Sequence, residues 1–127
     1  MQAAKLEHAN ITVNDPDATA AWMADVFGWH IRWQGDSKLG GRSIHVGEYD
    51  SYVALYNPNK DLGQPGTSYT TVSGLNHLAV IVDDIDAAED RVKAAGFETG
   101  NHGDYEPGRR FYFHDADGIE YEVVSYA

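Results

Sequence analysis

The feature that most constrains this chain is that it repeats itself. Leu6-Glu7-His8-Ala9-Asn10-Ile11-Thr12-Val13 is matched by Leu75-Asn76-His77-Leu78-Ala79-Val80-Ile81-Val82, with the histidines 77 − 8 = 69 positions apart. Asp15-Pro16-Asp17-Ala18 lies over Asp84-Ile85-Asp86-Ala87 at the same offset, and Gly28-Trp29 over Gly96-Phe97 at 96 − 28 = 68. One residue deleted from the second helix accounts for the slip. Carried onward at 68, the offset lays residues 51–56 over 119–124, the closing strand of each half. A period of this length means that one supersecondary unit is used twice, so each half must be read in the light of the other.

Each copy has the same pattern. The opening segment alternates, with Ile11 and Val13 (then Val80 and Val82) on one face and His8 and Thr12 (then His77 and Ile81) on the other, which predicts a strand. A helix follows in the first copy. Asp15 caps it, Pro16 suits its first turn, and Ala18, Ala21, Trp22 and Val26 form the expected apolar face up to Gly28. The second helix is expected from about Asp84 to Gly96, with Ile85, Ala88, Val92 and Ala95 facing inward and Gly96 as a left-handed cap. Strands are expected at 31–33, 43–46 and 52–56 in the first copy and at 98–100, 110–113 and 120–125 in the second. The unit is therefore βαβββ, used twice, an α+β fold. Residues 1–60 form the first module, 61–73 the Pro- and Gly-rich connection, and 74–127 the second module. Residues 35–42, with Gly40-Gly41, read as a hairpin loop.

Composition narrows the function. The 127 residues carry 9 Lys plus Arg against 20 Asp plus Glu, a formal charge of −11. Such a field repels nucleic-acid phosphates and anionic lipid, and Arg109-Arg110 is the only adjacent basic pair. At 43% hydrophobic and 12% aromatic the chain is nevertheless expected to pack as a globule. It contains no cysteine, which removes disulfides, thiolate nucleophiles and Cys-held metals. Neither a secretory leader nor an apolar span is expected, and the cytoplasm is the expected location.

Strand parity groups the chemistry-bearing residues. If the apolar side of each first strand faces its helix, His8 and His77 share the other face. On the last strand Tyr121 and Val123 turn inward, leaving Glu120, Glu122 and Val124 on the open side. Two imidazoles and a carboxylate form a ligand set for non-heme iron, and equally for zinc, manganese or nickel.

These residues carry a resemblance. The chain resembles the vicinal oxygen chelate superfamily, which groups glyoxalases, extradiol dioxygenases, fosfomycin-resistance proteins and bleomycin-binding proteins. The likeness rests on the two His-containing openings and on Phe111-Tyr-Phe-His-Asp-Ala-Asp-Gly-Ile-Glu-Tyr-Glu122 near the end. It implies an eight-stranded cup of paired βαβββ modules, a homodimer, and a divalent ion (Fe2+, Mn2+, Zn2+ or Ni2+) held by His8, His77 and Glu122. It also implies that Tyr112, ten residues before Glu122, meets the substrate. His102, followed by Gly103 and a turn-like Pro107-Gly108 in a loop, stands near the place of an acid-base histidine. The mate of Glu122 in the first copy is Ala54, which cannot bind metal or act as base, so a glyoxalase-type isomerase would need Glu48 or Glu120 instead. Asp115-Ala116-Asp117-Gly118 stands where the family has Asp-Pro-Asp-Gly. The expectation is a metal-dependent enzyme of dioxygenase or lyase type acting on a small molecule with adjacent oxygens, such as a catechol, hydroxy-acid or keto-ester. The alternatives are a metal-free, bleomycin-resistance-like binding protein, suited by its acidity to a cationic ligand, and a glyoxalase-like isomerase or epimerase. Taken alone each histidine is more often a packed strand residue than a ligand; Trp33, Tyr52 and Tyr56 are expected to line the cup, and Glu120 to sit at its rim.

Overall fold

The structure, a computed structural model, describes residues 1–63, 69–105 and 108–127. It divides into two compact units, Met1–Leu62 and Gly63–Ala127. The first runs β1 (His8–Thr12), α1 (Pro16–Phe27), β2 (His30–Asp36), a single 3-10 turn (Lys38–Gly40), β3 (Arg42–Gly47) and β4 (Tyr52–Asn57). The second runs β5 (Leu78–Ile81), α2 (Ile85–Ala94), β6 (Thr99–Tyr105), β7 (Gly108–His114) and β8 (Glu120–Ser125). Each is a βαβββ unit whose four-stranded sheet has the same order, β1-β4-β3-β2 and β5-β8-β7-β6. The first strand of each pairs parallel with the last, and the other pairings are antiparallel.

The register preserves the repeat residue by residue. Asn10 lies opposite Ala54 as Ala79 lies opposite Glu122, and His45 opposite Ala54 as Tyr112 opposite Glu122. The offsets of 69 for the first strand and 68 for the last are thus physical pairings.

Both helices begin as their capping residues dictate. Asp15 accepts a hydrogen bond from the Ala18 N–H at 3.1 Å and Asp84 from the Ala87 N–H at 3.0 Å, satisfying backbone donors that the first helical turn leaves free. Gly28 ends α1 at φ +71°, a conformation that a Cβ would strain. The buried face of α2 is Ile85, Ala88 and Val92, as expected, but Ala95 is exposed past the helix end. The face of α1 differs from the sequence reading: Pro16, Thr19, Ala20, Met23 and Val26 are buried, whereas Ala18 and Ala21 are exposed. Four alanines at 18, 20, 21 and 24 give little polarity contrast, so Met23, with its turn-spaced neighbours, decides the phase.

The strands β2, β6 and β7 run beyond their expected limits, because ribbon hydrogen bonding continues where apolar alternation stops. Gly35 and Asp36 therefore belong to β2 and not to the expected loop, and Gly108 opens β7. A register shift lies between Ile31 and Trp33, and its counterpart between Gly100 and Gly103. Residues 64–68 of the expected connection, and Pro107 of the expected turn, lie outside the described residues.

The helix-facing sides of the sheets form the cores: Ile44, Val46, Val53 and Leu55 in the first unit, and Phe111, Phe113, Tyr121 and Val123 in the second. Phe113 stacks on Tyr121 at 5.1 Å. Among the described residues no helix is long and apolar enough to cross a membrane.

Candidate functional site

The phase of β8 decides what the second unit presents, and the preceding turn sets that phase. Asp115 Oδ1 accepts from the N–H groups of Asp117 and Ile119, and its Oδ2 accepts from the Tyr121 hydroxyl at 3.0 Å. Gly118 completes the turn at φ +82°. Alanine in place of the family proline leaves these bonds intact. Tyr121 is thereby fixed on the helix side, so Glu120 and Glu122 turn to the other face.

On that face His77, Glu122, Arg110 and Tyr112 form a connected cluster, with Asn76 beside it. Glu122 Oε1 lies 3.1 Å from His77 Nε2, and Glu122 Oε2 accepts from Arg110 Nη1 at 2.9 Å. The remaining imidazole nitrogen of His77 is 2.6 Å from Asn76 Oδ1. Tyr112, directly across from Glu122, sets its ring edge-on to His77 at 5.9 Å. Burial, then the charge of Glu122, pushes the Tyr112 phenol up, so it keeps its proton. The Arg110 and Glu122 side chains are only 14% and 10% exposed, which makes theirs a buried ion pair. Arg110 also lies over the Tyr105 ring at 4.8 Å, and its Nε–H is buried with no acceptor among the described residues.

Glu120 is buried instead of standing at a rim. It accepts from the Tyr69 hydroxyl and lies 3.8 Å from both His77 Nδ1 and His114 Nε2. This contact pushes the Tyr69 phenol up to about 12.

His102 is not brought to this cluster. It sits within β6, where the sequence reading has a loop, and the adjacent shift at Gly100–Gly103 turns it to the helix side. There its Nε2 is 2.6 Å from Glu89 Oε2 on α2, and its ring stacks on Phe111 at 6.1 Å. It lines a cavity of about 240 Å³ with Ile85, Glu89, Asp104 and Arg109.

The first unit carries His8 at the end of a row of rings. His8 stacks on Tyr52 at 4.9 Å, Tyr52 on His45 at 4.6 Å, and Trp33 leans on His45 at 5.0 Å. Arg32 sits 4.3 Å over Tyr52. Glu7 Oε1 accepts from His8 Nδ1 at 2.9 Å and from the Tyr52 hydroxyl at 3.1 Å, and these bonds hold its carboxyl below the usual range. Burial, then the charges of His8 and Arg32, lowers His45. Neither His45 nor Arg110 is among the residues picked from the sequence. Strand pairing is the missing signal: His45 lies opposite Ala54 as Tyr112 lies opposite Glu122, and Arg110 precedes Tyr112 by two on the same face.

The donor chemistry of the second unit fits a divalent ion in part. His77 Nε2 and Glu122 Oε1, 3.1 Å apart, are two donors that would hold a divalent ion. Among the described residues, however, no group of three or more His, Asp or Glu side chains is arranged to hold a metal.

Residues 5–123 match the sequence profile of the Glyoxalase/Bleomycin resistance protein/Dioxygenase superfamily. The chain belongs to this superfamily. Solved structures agree at the level of the fold. A glyoxylase/bleomycin resistance protein/dioxygenase domain from Frankia sp. EAN1pec is 23% identical, with a TM-score of 0.81 and 98% of each chain covered. The fosfomycin resistance protein FosX of Mesorhizobium loti is 22% identical, with a TM-score of 0.72, covering 97% of this chain and 92% of that one. TnmS3, an antibiotic binding protein from Streptomyces sp. CB03234, is 18% identical, with a TM-score of 0.76 and coverage of 100% and 99%. No curated protein sequence matches significantly. Proteins of this fold thus include both a resistance protein and an antibiotic binder, and the choice between such activities rests on this chain's own residues.

Proposed function

We propose that this superfamily member is a divalent-metal-dependent enzyme of dioxygenase or lyase type, acting on a small molecule with two neighbouring oxygens, with His8, His77 and Glu122 as the ligands. The observation that supports it most is the approach of His77 Nε2 to Glu122 Oε1 at 3.1 Å on the face of the sheet away from the helix. His8 enters the set as the repeat mate of His77. A bound ion would supply Lewis-acid polarisation of the substrate oxygens, and the donor set accepts iron, manganese, zinc or nickel.

The protein's own groups do the rest. Arg110 holds Glu122 Oε2 and so leaves Oε1 turned toward His77. Asn76 fixes the imidazole by its other nitrogen, as an outer partner of a ligand histidine does. Tyr112 lies across the strand from Glu122, where its hydroxyl would hydrogen-bond a substrate oxygen. Ala54, the mate of Glu122, offers no second carboxylate base, which counts against glyoxalase-type isomerisation. His102, tied to Glu89 on the helix side, has no part in this scheme.

The test is thermal unfolding of chelator-treated protein with added Mn2+, Fe2+, Zn2+ or Ni2+. A ligand that binds only the folded state raises its melting temperature. The wild type should gain stability with at least one ion, and His8→Ala and His77→Ala should gain none; equal gains in all three proteins would refute the ligand set.

A second reading is favoured by the ring row His8, Tyr52, His45 and Trp33, a stacking platform for a flat aromatic compound, as in a metal-free binding protein. Binding of planar cationic drugs to chelator-treated protein, weakened by Trp33→Ala, would support it. No change in melting temperature across a panel of such drugs would remove it.

A further inference from the structure

We infer that the cavity beside α2, β6 and β7 is a second binding site, for a small organic cation whose ammonium or amidinium group pairs with Glu89. The cavity lies on the helix side of the sheet, away from the His77–Glu122 cluster, and owes nothing to the metal reading. Its volume is about 240 Å³, and Ile85, Glu89, His102, Asp104, Arg109 and Phe111 line it. A cavity of about 150 Å³ already takes up benzene, so this one has room for a ring with a short charged substituent.

Glu89 is the residue that points to a cation. Its side chain is 16% exposed, and its partners crowd onto one oxygen: Oε2 accepts from the Thr99 hydroxyl and from His102 Nε2 at 2.6 Å, with Lys93 Nζ 3.8 Å away. Oε1 takes no donor among the described residues, although a carboxylate oxygen this sheltered ordinarily holds one. Burial raises the carboxyl, but the hydrogen bonds from Thr99 and His102 outweigh it, so Glu89 is ionised at neutral pH.

The surrounding charge favours the same ligand. Arg109 is answered by Asp86 at 2.9 Å and faces Asp104 across the strand pair, while Arg110 is answered by Glu122. With histidine counted as neutral, the three carboxylates of Glu89, Asp104 and Asp86 stand against the two cations Arg109 and Lys93, which leaves one negative charge over. Lys93 is itself 61% exposed, so water weakens its hold on Glu89. Ile85 and Phe111 make part of the wall apolar, and the His102 ring, stacked on Phe111 at 6.1 Å, offers a flat surface to a ligand ring. At long range a net charge of −11 draws cations toward the chain.

The test is an amide chemical-shift titration by NMR on the full chain, with chelator present, using benzamidine, benzamide and benzoate: a cation, a neutral molecule and an anion of one shape. In the wild type benzamidine should shift the amides of Glu89, Thr99, Gly103 and Phe111, and benzamide and benzoate should bind there about tenfold more weakly or worse. Glu89→Gln, whose side-chain carbonyl can still accept from Thr99 and His102, should fold and lose about tenfold in benzamidine affinity. Trp33→Ala, which breaks the ring row of the first unit, should leave that affinity unchanged. Shifts confined to Trp33, His45 and Tyr52 would put the cation on the ring row and overturn the inference. Equal binding of the three compounds, unchanged affinity in Glu89→Gln, or no shift at the cavity amides would overturn it as well. The comparison of the three compounds on the wild type decides the matter even if Glu89→Gln does not fold.

Discussion

Glu122 is shared between His77 and Arg110, one carboxylate oxygen to each, at 3.1 and 2.9 Å. The arrangement predicts the effect of neutralising it. Glu122→Gln leaves the Arg110 charge buried without its partner, which should cost about 3 kcal/mol of stability and be seen as a lower denaturation midpoint in urea. Arg110→Met with Glu122→Gln should recover part of that loss, because the stranded charge goes too. A single variant as stable as the wild type would show that the pair is solvated.

His102 is expected to be silent at the metal and audible in acid. Burial pushes the Glu89 carboxyl up, but hydrogen bonds from Thr99 and His102 outweigh it and hold the carboxyl below its ordinary value. A lowered acid binds fewer protons when folded, so its stabilisation is complete above the ordinary 4.5 and is lost as pH falls through the lowered value. His102→Ala should therefore reduce the slope of melting temperature against pH below about 4.5 while leaving metal uptake unchanged. Loss of metal in this variant would return His102 to the site.

Tyr121 should matter more at neutral pH than in acid. Burial raises Asp115, and the Tyr121 hydroxyl is one of the bonds that hold the rise in check. A raised acid binds more protons when folded, so its burial lowers stability as pH rises past its ordinary value. Tyr121→Phe should cost about 1–2 kcal/mol at pH 7 and less at pH 3. A cost independent of pH would mean that the hydroxyl contributes packing alone.

Gly108 opens β7 where a side chain has no room. A Cβ there would meet the Ser125 carbonyl oxygen at 2.1 Å, a backbone atom of the paired strand. Gly108→Ala should destabilise by about 1–3 kcal/mol, and faster hydrogen exchange at the β7–β8 pairing near Arg110 is the readout. Exchange as slow as in the wild type would show that the strand end absorbs the clash.

The repeat made most of the fold legible. The matched openings, the two Asp caps and the glycines at the helix ends gave the order of elements, and the parity of β8 separated Glu122 from Tyr121. The phase of α1 was not legible, since its alanines fit either face. Nor was the placement of His102, because the register shift between Gly100 and Gly103 reverses which face it presents, and no local pattern announces such a shift. Arg110 escaped notice for a different reason. Arg109 beside it pairs with the exposed Asp86 at 2.9 Å, so the dipeptide reads as ordinary surface charge until strand pairing separates the two.

Metal content tests the central claim most directly. The wild type, purified without chelator and assayed by inductively coupled plasma mass spectrometry, should carry close to one divalent ion per chain, and His77→Ala and Glu122→Gln close to none. Wild-type protein that holds no metal, and takes up none when ions are supplied, would contradict the account.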